Sequence, residues 1–459
     1  MRFHLQEQLI RNGGDAYCEL RSNAIQILNV ALDTVDPKRA IQNKIRIDRE
    51  FLSAGEWSCE LASLKRILVI GGGKAGGAMA EAVESLLGER VTAGIVNILK
   101  GTEAKYNLKK IRLLGTSHPV PDRCGAKGVE EMLNLVANAS KDDLIIVLIS
   151  GGGSAIMPCP ADGISLEDIQ TITSKLLKKG ATINDLNAVR KHLDVFKGGQ
   201  LARRCGSARI LSIILSDVVE DPLDIIASGP TSPDSSTWFD AIDVLKKYDV
   251  LENSPRSVKN RFEKGIRGEI EETPKVGDPV FEKVFNFIVA NNSGACEAAV
   301  TEATRLGYNG LILSTMIEGE ARHVGSVYAG IAREVSSSGR PVKTPAALVL
   351  GGETTVEVHG SGRGGRNQEV AISVAQKISG LNCVVACLAT DGVDGPTDAA
   401  GAIVDGNTLK RAQAANLSID FYLKENDSYS FFNYLGDLIV TGPTGTNVND
   451  LTLVLIGAI

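Results

Sequence analysis

The chain has 459 residues, of which 43% are hydrophobic and 23% are charged, with a formal net charge of −6. This composition is typical of globular proteins, and the negative charge argues against a nucleic-acid partner, which requires a basic surface. The sequence contains no apolar run near the ~20 residues that span a bilayer. Its eight cysteines include no CxxC pair, so it predicts neither a zinc site nor a disulfide framework.

The first predicted element is a helix within residues 15–55. It is indicated by apolar residues at helical spacing, namely Ile25, Leu28, Ala31 and Val35. Asp36 and Pro37 end the pattern. Residues 1–11 contain no continuous apolar stretch, so we expect no secretory signal. We expect a cytoplasmic protein, and a mitochondrial pool stays open.

From Arg66 to about residue 234 the sequence alternates predicted strands and helices. Strands are predicted at 67–70, 144–149 and 210–215 from short apolar runs that end in glycine-rich or polar turns. Apolar stripes at helical spacing predict the helices between them, which include Met79, Val83 and Leu86, and later Leu186, Val189, Leu193 and Phe196. A further helix begins at a capping box, Ser165 to Asp168. This alternation indicates a mostly parallel sheet covered by helices.

The second half predicts another α/β unit. Residues 250–280 are charged, contain proline and show little periodicity, so we place a domain boundary near residue 275. The two predicted domains are residues 1–275 and 276–459. Strands are predicted in the second domain at 285–290, near 347–350, at 383–389 and at 437–440. The predicted fold class is therefore α/β, with two domains and a cleft between them.

The turn after the first strand contains Gly71, Gly72, Gly73 and Lys74. It satisfies the GxGxxG pattern of dinucleotide-binding proteins, but that use also needs an acidic residue about twenty positions later. The next strand, within residues 94–100, has no carboxylate at its end, although an NADP site could use Lys100 instead. A cation in this turn suits a phosphate, and a solvated loop lysine is the simpler alternative.

The turn after the second strand predicts an anion site more strongly. It consists of Ser150, Gly151, Gly152, Gly153 and Ser154. Consecutive glycines allow backbone N–H groups to form a nest around an anion, and the serines add hydroxyl donors. The alternative is a tight connection between strand and helix. The sequence contains no P-loop, which would place lysine and serine or threonine after the glycines.

Further candidates lie on a helix and on three loops. Arg190 and Lys197 share a predicted helix face with Asp194, either as a clamp for an anionic substrate or as a solvated ion-paired surface. Asp217 follows the strand at 210–215 and could accept a proton or hold Mg²⁺. Asp391 lies in an acidic loop after a strand, and Thr444 and Gly445 lie in a hydroxyl-rich loop that suits a phosphate. Each of these loops could also be a simple turn or cap.

Taken together, the motifs resemble the class II glycerate kinases, the glycerate 2-kinase family with a C-terminal MOFRL domain. The resemblance covers roughly residues 20–458 and rests on motifs in the family's order: Gly71–Ala75, Ser150–Ala155, Asn187–His192, Lys197–Gly199, Leu215–Val218, Ile226–Thr231, Gly351–Thr355, Gly364–Glu369 and Thr390–Gly395.

This resemblance implies ATP-dependent phosphorylation of D-glycerate to 2-phosphoglycerate, with Mg²⁺ or another divalent cation. It implies a large Rossmann-like N-terminal domain, a smaller C-terminal domain and an active site in the cleft. The family's key active-site cations correspond to Lys74 and Arg366. Asp194 departs from the serine common in similar sequences, and Glu220 from the glycine.

The expected roles combine this resemblance with the residue types. Residues 71–73 and 150–154, with Thr444 and Gly445, would hold phosphates, and Lys74 and Arg366 would neutralise the transferring group. Arg190 and Lys197 would bind glycerate, Asp217 would accept the proton and Asp391 would organise the metal ion.

Two other functions remain open at this point. They are an NADP-linked hydroxypyruvate or tartronate-type reductase and a non-catalytic metabolite sensor. We expect a small-molecule substrate, no nucleic-acid or membrane partner, and a monomer or homodimer.

Overall fold

The computed structural model describes residues 3, 4 and 6–458. The chain forms two compact units. One consists of residues 37–289, and the other joins the residues up to 36 to those from 290 onward. The predicted α/β class is confirmed. The boundary near residue 275 differs from this division, which assigns the N-terminal helix to the same unit as the C-terminal half of the chain.

The α-helices of the described residues are α1 (Gln6–Arg11), α2 (Cys18–Thr34), α3 (Pro37–Lys44), α4 (Gly76–Leu87), α5 (Arg123–Val136), α6 (Gly153–Ile156), α7 (Leu166–Lys178), α8 (Ile183–Leu193), α9 (Gln200–Arg204), α10 (Trp238–Lys247), α11 (Arg256–Ile266), α12 (Asn292–Arg305), α13 (Ala321–Ser338), α14 (Arg366–Lys377), α15 (Thr408–Ala414), α16 (Ile419–Lys424) and α17 (Ser428–Leu435). None of these helices has the length and apolar character needed to cross a membrane.

The strands of the described residues are β1 (Ile45–Asp48), β2 (Phe51–Ala54), β3 (Trp57–Glu60), β4 (Arg66–Gly72), β5 (Val91–Leu99), β6 (Ile111–Thr116), β7 (Asp143–Ile149), β8 (Arg209–Leu215), β9 (Val284–Ala290), β10 (Asn309–Glu320), β11 (Ala346–Thr355), β12 (Cys383–Ala389), β13 (Gly401–Asp405), β14 (Leu438–Ile439) and β15 (Asp450–Ile456).

The unit of residues 37–289 is built on a six-stranded sheet in the order β6-β5-β4-β7-β8-β9. The pairs from β6 through β8 are all parallel, as predicted. Strands β4 and β7 lie at the centre and are buried along almost their whole length, as expected for parallel strands covered on both faces. Because parallel strands end at the same edge, the turns after β4, β7 and β8 lie side by side. A separate antiparallel sheet, β1-β2-β3, was not predicted.

Three details of this unit correct the sequence predictions. The predicted strand at 285–290 exists as β9, but it lies beside β8 in the first sheet and does not open the second unit. Residues 256–266, within the segment that shows little periodicity, form α11 with Val258 and Phe262 buried. The predicted helix face that joins Arg190 to Lys197 is wrong, because α8 ends at Leu193 and the next residue has extended backbone. The predicted capping box at Ser165 is confirmed.

The other unit contains a six-stranded sheet in the order β10-β11-β15-β12-β13-β14. Strand β10 runs parallel to β11, and the remaining pairs are antiparallel. The predicted strands near 347–350 and at 383–389 are confirmed as β11 and β12, and the one at 437–440 is the short β14. Strands β10, β13 and β15 were not predicted. Helix α2 belongs to this unit, and its predicted apolar stripe is buried.

Candidate active site

The turn after β4 and the loop after β7 form one continuous surface in the 37–289 unit. The backbone N–H of Lys74 donates to the carbonyl of Gly151 at 2.8 Å, and the N–H of Ala75 donates to Ser150 Oγ at 3.1 Å. A Cβ atom on Gly73, whose φ is +141°, would lie 2.2 Å from Ser150 Oγ. Glycine is therefore required at position 73 both by its backbone conformation and by the close approach of the two loops.

The loop Ser150–Ser154 has the features of an anion cradle. Gly152 adopts the left-handed conformation at the start of α6. In the described part of this unit, the N–H groups of Gly151 and Gly152 donate to no backbone carbonyl. Backbone N–H groups arranged in this way attract an anion. The predicted phosphate site at residues 150–154 thus has suitable donors.

Lys74 brings a positive charge to this loop. Its Cγ lies 3.3 Å from the position that a Cβ on Gly152 would take, and the ring of His118 lies on the same side at 3.0 Å. Lys74 is half-buried. Burial lowers the pKa of His118, and the charge of Lys74 lowers it further. Both effects favour the neutral form of the imidazole beside the lysine.

Asp217 follows β8 and contacts the same loop. A Cβ on Gly151 would lie 2.0 Å from Asp217 Oδ2, so only glycine allows the carboxylate to approach the loop backbone this closely. The predicted proton acceptor and the predicted phosphate cradle are therefore neighbours. Lys74, Asp217 and the loop Ser150–Ser154 are thus predicted site residues that lie close together in the structure.

Arg190 and Ser154 line a small cavity of about 30 Å³. Arg190 Nε donates to Thr173 Oγ1 at 3.3 Å, and burial lowers the pKa of its guanidinium. Among the described residues of its unit, no carboxylate lies within ion-pair distance of Arg190. This arrangement leaves the guanidinium suited to a carboxylate or phosphate ligand.

Lys197 also lines this cavity, but its ammonium group is bound internally. Its Nζ donates to Asp194 Oδ2 at 2.6 Å and to the carbonyl of Met157 at 3.0 Å. Asp194 also accepts the backbone N–H of Phe196 at 2.8 Å. The negative charge of Asp194 is therefore matched by Lys197, although Asp194 lines the same cavity as Arg190.

The sequence predictions omitted two polar residues behind the loop, Ser228 and Asn187. Ser228 Oγ lies 2.9 Å from Ser154 Oγ and 2.8 Å from Asn187 Oδ1. Both residues occur in motifs that carry the family resemblance. A hydroxyl or an amide within a motif gives no sign of its partner, so only the structure reveals the connection to Ser154.

The remaining predicted site residues lie in the other unit. Arg366, the first residue of α14, donates from Nε and Nη2 to the carboxylate of Asp450 at 2.7 and 3.0 Å. Its Nη1 donates to Glu353 Oε1 at 2.8 Å. Arg366 and Glu353 line a pocket of about 660 Å³. Burial raises the pKa of Asp450 to about 6, although the charge of Arg366 acts in the opposite direction.

Asp391 and Thr444 meet in the loops that follow β12 and β14. Asp391 Oδ1 accepts the N–H of Val393 at 3.0 Å, and the N–H of Thr444 donates to the carbonyl of Asp391 at 3.1 Å. Gly445 is exposed with a φ of +81°. Within the described chain, no group of three or more His, Cys, Asp or Glu side chains is arranged to hold a metal ion.

Comparison with known proteins finds two family domains in succession along the chain. Residues 23–263 match a domain of unknown function, DUF4147, and residues 346–450 match the MOFRL family. The chain is 41% identical to the glycerate 2-kinase of Pyrococcus horikoshii over 95% of its own length and 98% of that protein. It is also 39% identical to a putative hydroxypyruvate reductase of Agrobacterium vitis, over 94% of this chain and 93% of that protein.

The same relationship holds for the fold. The crystal structure of the glycerate kinase of Thermotoga maritima has a TM-score of 0.86 to this protein and 40% sequence identity, and the match covers 95% of this chain and 99% of the other. Nearly the whole chain is therefore shared with these proteins in sequence and structure. The protein belongs to the glycerate kinase family, with a DUF4147 domain followed by a MOFRL domain.

Proposed function

We propose that this protein transfers the γ-phosphoryl group of ATP to the 2-hydroxyl group of D-glycerate, which gives 2-phosphoglycerate and ADP. The observation that carries this proposal is the 41% identity to a glycerate 2-kinase across almost the full length of both chains. The positions of Lys74 and Asp217 against the loop Ser150–Ser154 support it.

In the proposed step, the glycerate oxygen forms a bond to the γ-phosphorus while the bond from phosphorus to the β–γ bridging oxygen breaks. Such transfers depend mainly on positioning and on neutralisation of negative charge. The loop N–H groups would hold phosphate oxygens, and Lys74 would neutralise their charge. At ~4 Å and an effective dielectric constant near 20, such a charge pair contributes about 4 kcal/mol.

The glycerate has two groups that this unit can recognise. Its carboxylate suits the guanidinium of Arg190, which binds planar anions bidentately. Its hydroxyl proton has to leave as the new bond forms, and Asp217 is the carboxylate that contacts the phosphate loop. We therefore assign substrate binding to Arg190 and proton acceptance to Asp217. Lys197 would act indirectly, since it is bound to Asp194.

We propose that a magnesium ion is bound together with ATP. No three-ligand cluster is preformed in the described chain, but Mg²⁺ in phosphoryl-transfer enzymes is commonly held by one or two carboxylates and the substrate phosphates. Asp391 is the proposed carboxylate ligand. The ion would supply further neutralisation of phosphate charge.

The role of Arg366 in the same reaction stays a prediction from the family resemblance, as do phosphate contacts by Thr444 and Gly445. Arg366 is already bound to Asp450 and Glu353. Its contribution would therefore require that the guanidinium serve a phosphate while it keeps these partners, or exchange one of them.

The decisive experiment is incubation of the protein with ATP, Mg²⁺ and D-glycerate, followed by phosphorus NMR of the product. A phosphomonoester at the second carbon would support the proposal. A product phosphorylated at the third carbon would overturn the assignment of the hydroxyl, and the absence of any phosphorylated product would overturn the kinase assignment.

The relative named putative hydroxypyruvate reductase supports a reductase as the alternative function. An NADP-linked reductase needs a nucleotide site in the first glycine turn. Strand β5 ends at Leu99 without the acidic residue that holds the ribose in NAD enzymes, and Lys100 directly after it could serve the 2′-phosphate of NADP. Thermal unfolding separates the two functions. The kinase predicts stabilisation by ATP and the reductase predicts stabilisation by NADPH, since a ligand stabilises the state that binds it.

A cytoplasmic location and a monomer or homodimer also stay predictions. Cell fractionation tests the location, including the possible mitochondrial pool. Light scattering coupled to size-exclusion chromatography tests the assembly, for which the mass of one chain is 48.6 kDa.

A further inference from the structure

Three polar side chains from three different elements form a hydrogen-bonded chain behind the phosphate loop. Ser154 Oγ lies 2.9 Å from Ser228 Oγ, and Ser228 Oγ lies 2.8 Å from Asn187 Oδ1. Ser228 is 0% exposed and Asn187 is 2% exposed. Buried polar groups at these distances fix one another's orientation, because hydrogen bonds are electrostatically stronger in the protein interior than in water.

The backbone that presents Ser228 is unusual. Ala227 has a φ of +50° and Ser228 a φ of +62°, a region that residues with a Cβ avoid. The conformation is held by hydrogen bonds: the N–H of Ser228 donates to the carbonyl of Ile225 at 2.9 Å, and its carbonyl accepts the N–H of Gly198 at 2.9 Å. Strained backbone of this kind is found where a side chain has to be held in one position.

The number of protons in the chain decides what Ser154 can offer a ligand. A hydroxyl has one proton to donate. If Ser228 donates to the amide oxygen of Asn187, Ser154 has to donate to Ser228, and its oxygen then offers a ligand only lone pairs. In that arrangement Asn187 Nδ2 is buried without a partner, which is unfavourable for a donor.

The opposite orientation exchanges the positions of the amide nitrogen and oxygen, which gives Nδ2 a partner and leaves the oxygen at the position without one. Asn187 Nδ2 then donates to Ser228, Ser228 donates to Ser154, and the proton of Ser154 is free to bind an anion. An anion in the loop favours this arrangement, because it requires donors and repels lone pairs.

We propose that Ser228 and Asn187 are positioning residues, which hold the Ser154 hydroxyl with its proton directed at a phosphate group of the nucleotide. The identity of the anion rests on the proposed kinase function. The chain of hydrogen bonds itself rests on the geometry alone.

A double-mutant cycle with Ser154→Ala and Ser228→Gly tests this proposal. Glycine suits a φ of +62°, so Ser228→Gly removes the hydroxyl while it relieves the backbone, and we expect little change in Tm. Each single change should lower kcat/KM for ATP about 10- to 100-fold, the range for a hydrogen bond to a charged group. The double variant should be no worse than Ser154→Ala. The proposal would be overturned if the loss of kcat/KM in the double variant equalled the product of the two single losses. It would also be overturned if the loss in Ser228→Gly accompanied a lower Tm.

Asn187→Asp provides a second test, because an ionised carboxylate only accepts hydrogen bonds and enforces the unproductive direction. We expect a raised KM for ATP with KM for D-glycerate nearly unchanged. Asn184→Asp is the matched control: it adds the same charge three residues earlier on α8, at an exposed position. Equal effects of the two changes would assign the result to charge and not to proton direction.

Failure of the proposed function can be distinguished from failure of the positioning role. If the unmodified protein shows no ATP-dependent turnover, the kinase assignment is overturned. The affinity of each variant in the double-mutant cycle for ADP is then measured by calorimetry. Tight ADP binding that is unchanged in Ser228→Gly, or failure of the unmodified protein to bind ADP, would overturn the positioning role.

Discussion

Lys74 is the side chain on which the proposed reaction depends most directly. It extends past Gly152 at the edge of the phosphate loop and forms no ion pair within the described part of its unit. A cation placed in this way stabilises charge that develops during transfer, and loss of one such group typically costs 10²–10³ in rate.

Lys74→Met should therefore lower kcat by about 100-fold or more, with the fold intact because the side chain is half-buried and not part of the core. Steady-state kinetics with circular dichroism checks this. Lys141→Met removes an exposed lysine from the same unit and serves as the control. Normal turnover of Lys74→Met would contradict the role assigned to the lysine.

The same substitution should also be visible at His118. Burial lowers the pKa of this imidazole first, and the positive charge of Lys74 lowers it further. Removal of the charge takes away the second cause, so the pKa of His118 should rise toward its ordinary value while the burial effect remains. NMR titration of the histidine ring protons measures this. An unchanged His118 pKa in Lys74→Met would show that the ammonium group lies farther from the ring than the structure places it.

Helix α8, which carries Arg190, also takes part in an ion pair that affects the stability of its unit in acid. His192 Nε2 lies 2.8 Å from Glu272 Oε1, and Glu272 Oε2 accepts the N–H of Trp238 at 2.9 Å. Burial alone would raise the pKa of Glu272, but the hydrogen bonds from His192 and Trp238 outweigh it and lower the pKa to about 2. The ionised carboxylate thus helps to fasten α8 to the start of α10.

A carboxylate whose folded-state pKa is depressed stabilises the fold above its unfolded pKa and loses that contribution as the pH falls through the folded value. For Glu272 this interval runs from the ordinary value of 4.5 down to about 2. Glu272→Gln should flatten the decline of Tm in this range, as measured by calorimetry at a series of pH values. The exposed neighbour Glu271→Gln should keep the steep decline, and equal profiles for the two variants would refute the assignment.

Several features of the site and fold could be predicted from the sequence because they are local. The apolar runs before Gly71 and Ser150 predict parallel strands that end at one edge, and the glycines predict a close approach to an anion. Partners that are distant along the chain leave no such pattern. Nothing in residues 285–290 indicates the neighbouring strand β8, and the left-handed backbone at Ala227 and Ser228 is not marked by glycine.

At the scale of the whole molecule, the N-terminal helix belongs to the unit that is otherwise formed by the C-terminal part of the chain. Arg21 of α2 is fully buried and forms ion pairs with Asp405 at 2.6 Å and with Asp437 at 2.8 Å. The guanidinium of Arg21 balances the negative charge of both carboxylates. Arg411 also forms an ion pair with Asp437.

Arg21→Met should destabilise this unit by about 3–5 kcal/mol, because removal of one partner leaves buried charge uncompensated. Urea unfolding followed by far-UV circular dichroism measures the loss of unfolding free energy. Arg11→Met, which removes an exposed ion pair with Glu7, should cost less than about 1 kcal/mol. If both variants unfold at the same urea concentration, the buried pair does not anchor the helix.

The place of β15 in its sheet has a consequence for biosynthesis. This strand lies between β11 and β12 and includes residues 450–456, so the ribosome delivers the middle of the sheet after both strands that flank it. At about 5–20 residues per second, α2 emerges roughly 20 to 85 seconds before the strand that completes its unit. During that interval its apolar face has no finished core to join, whereas residues 37–289 are completed before β15 is made. We expect the nascent chain to be held by chaperones chiefly through α2 and through the strands that wait for β15.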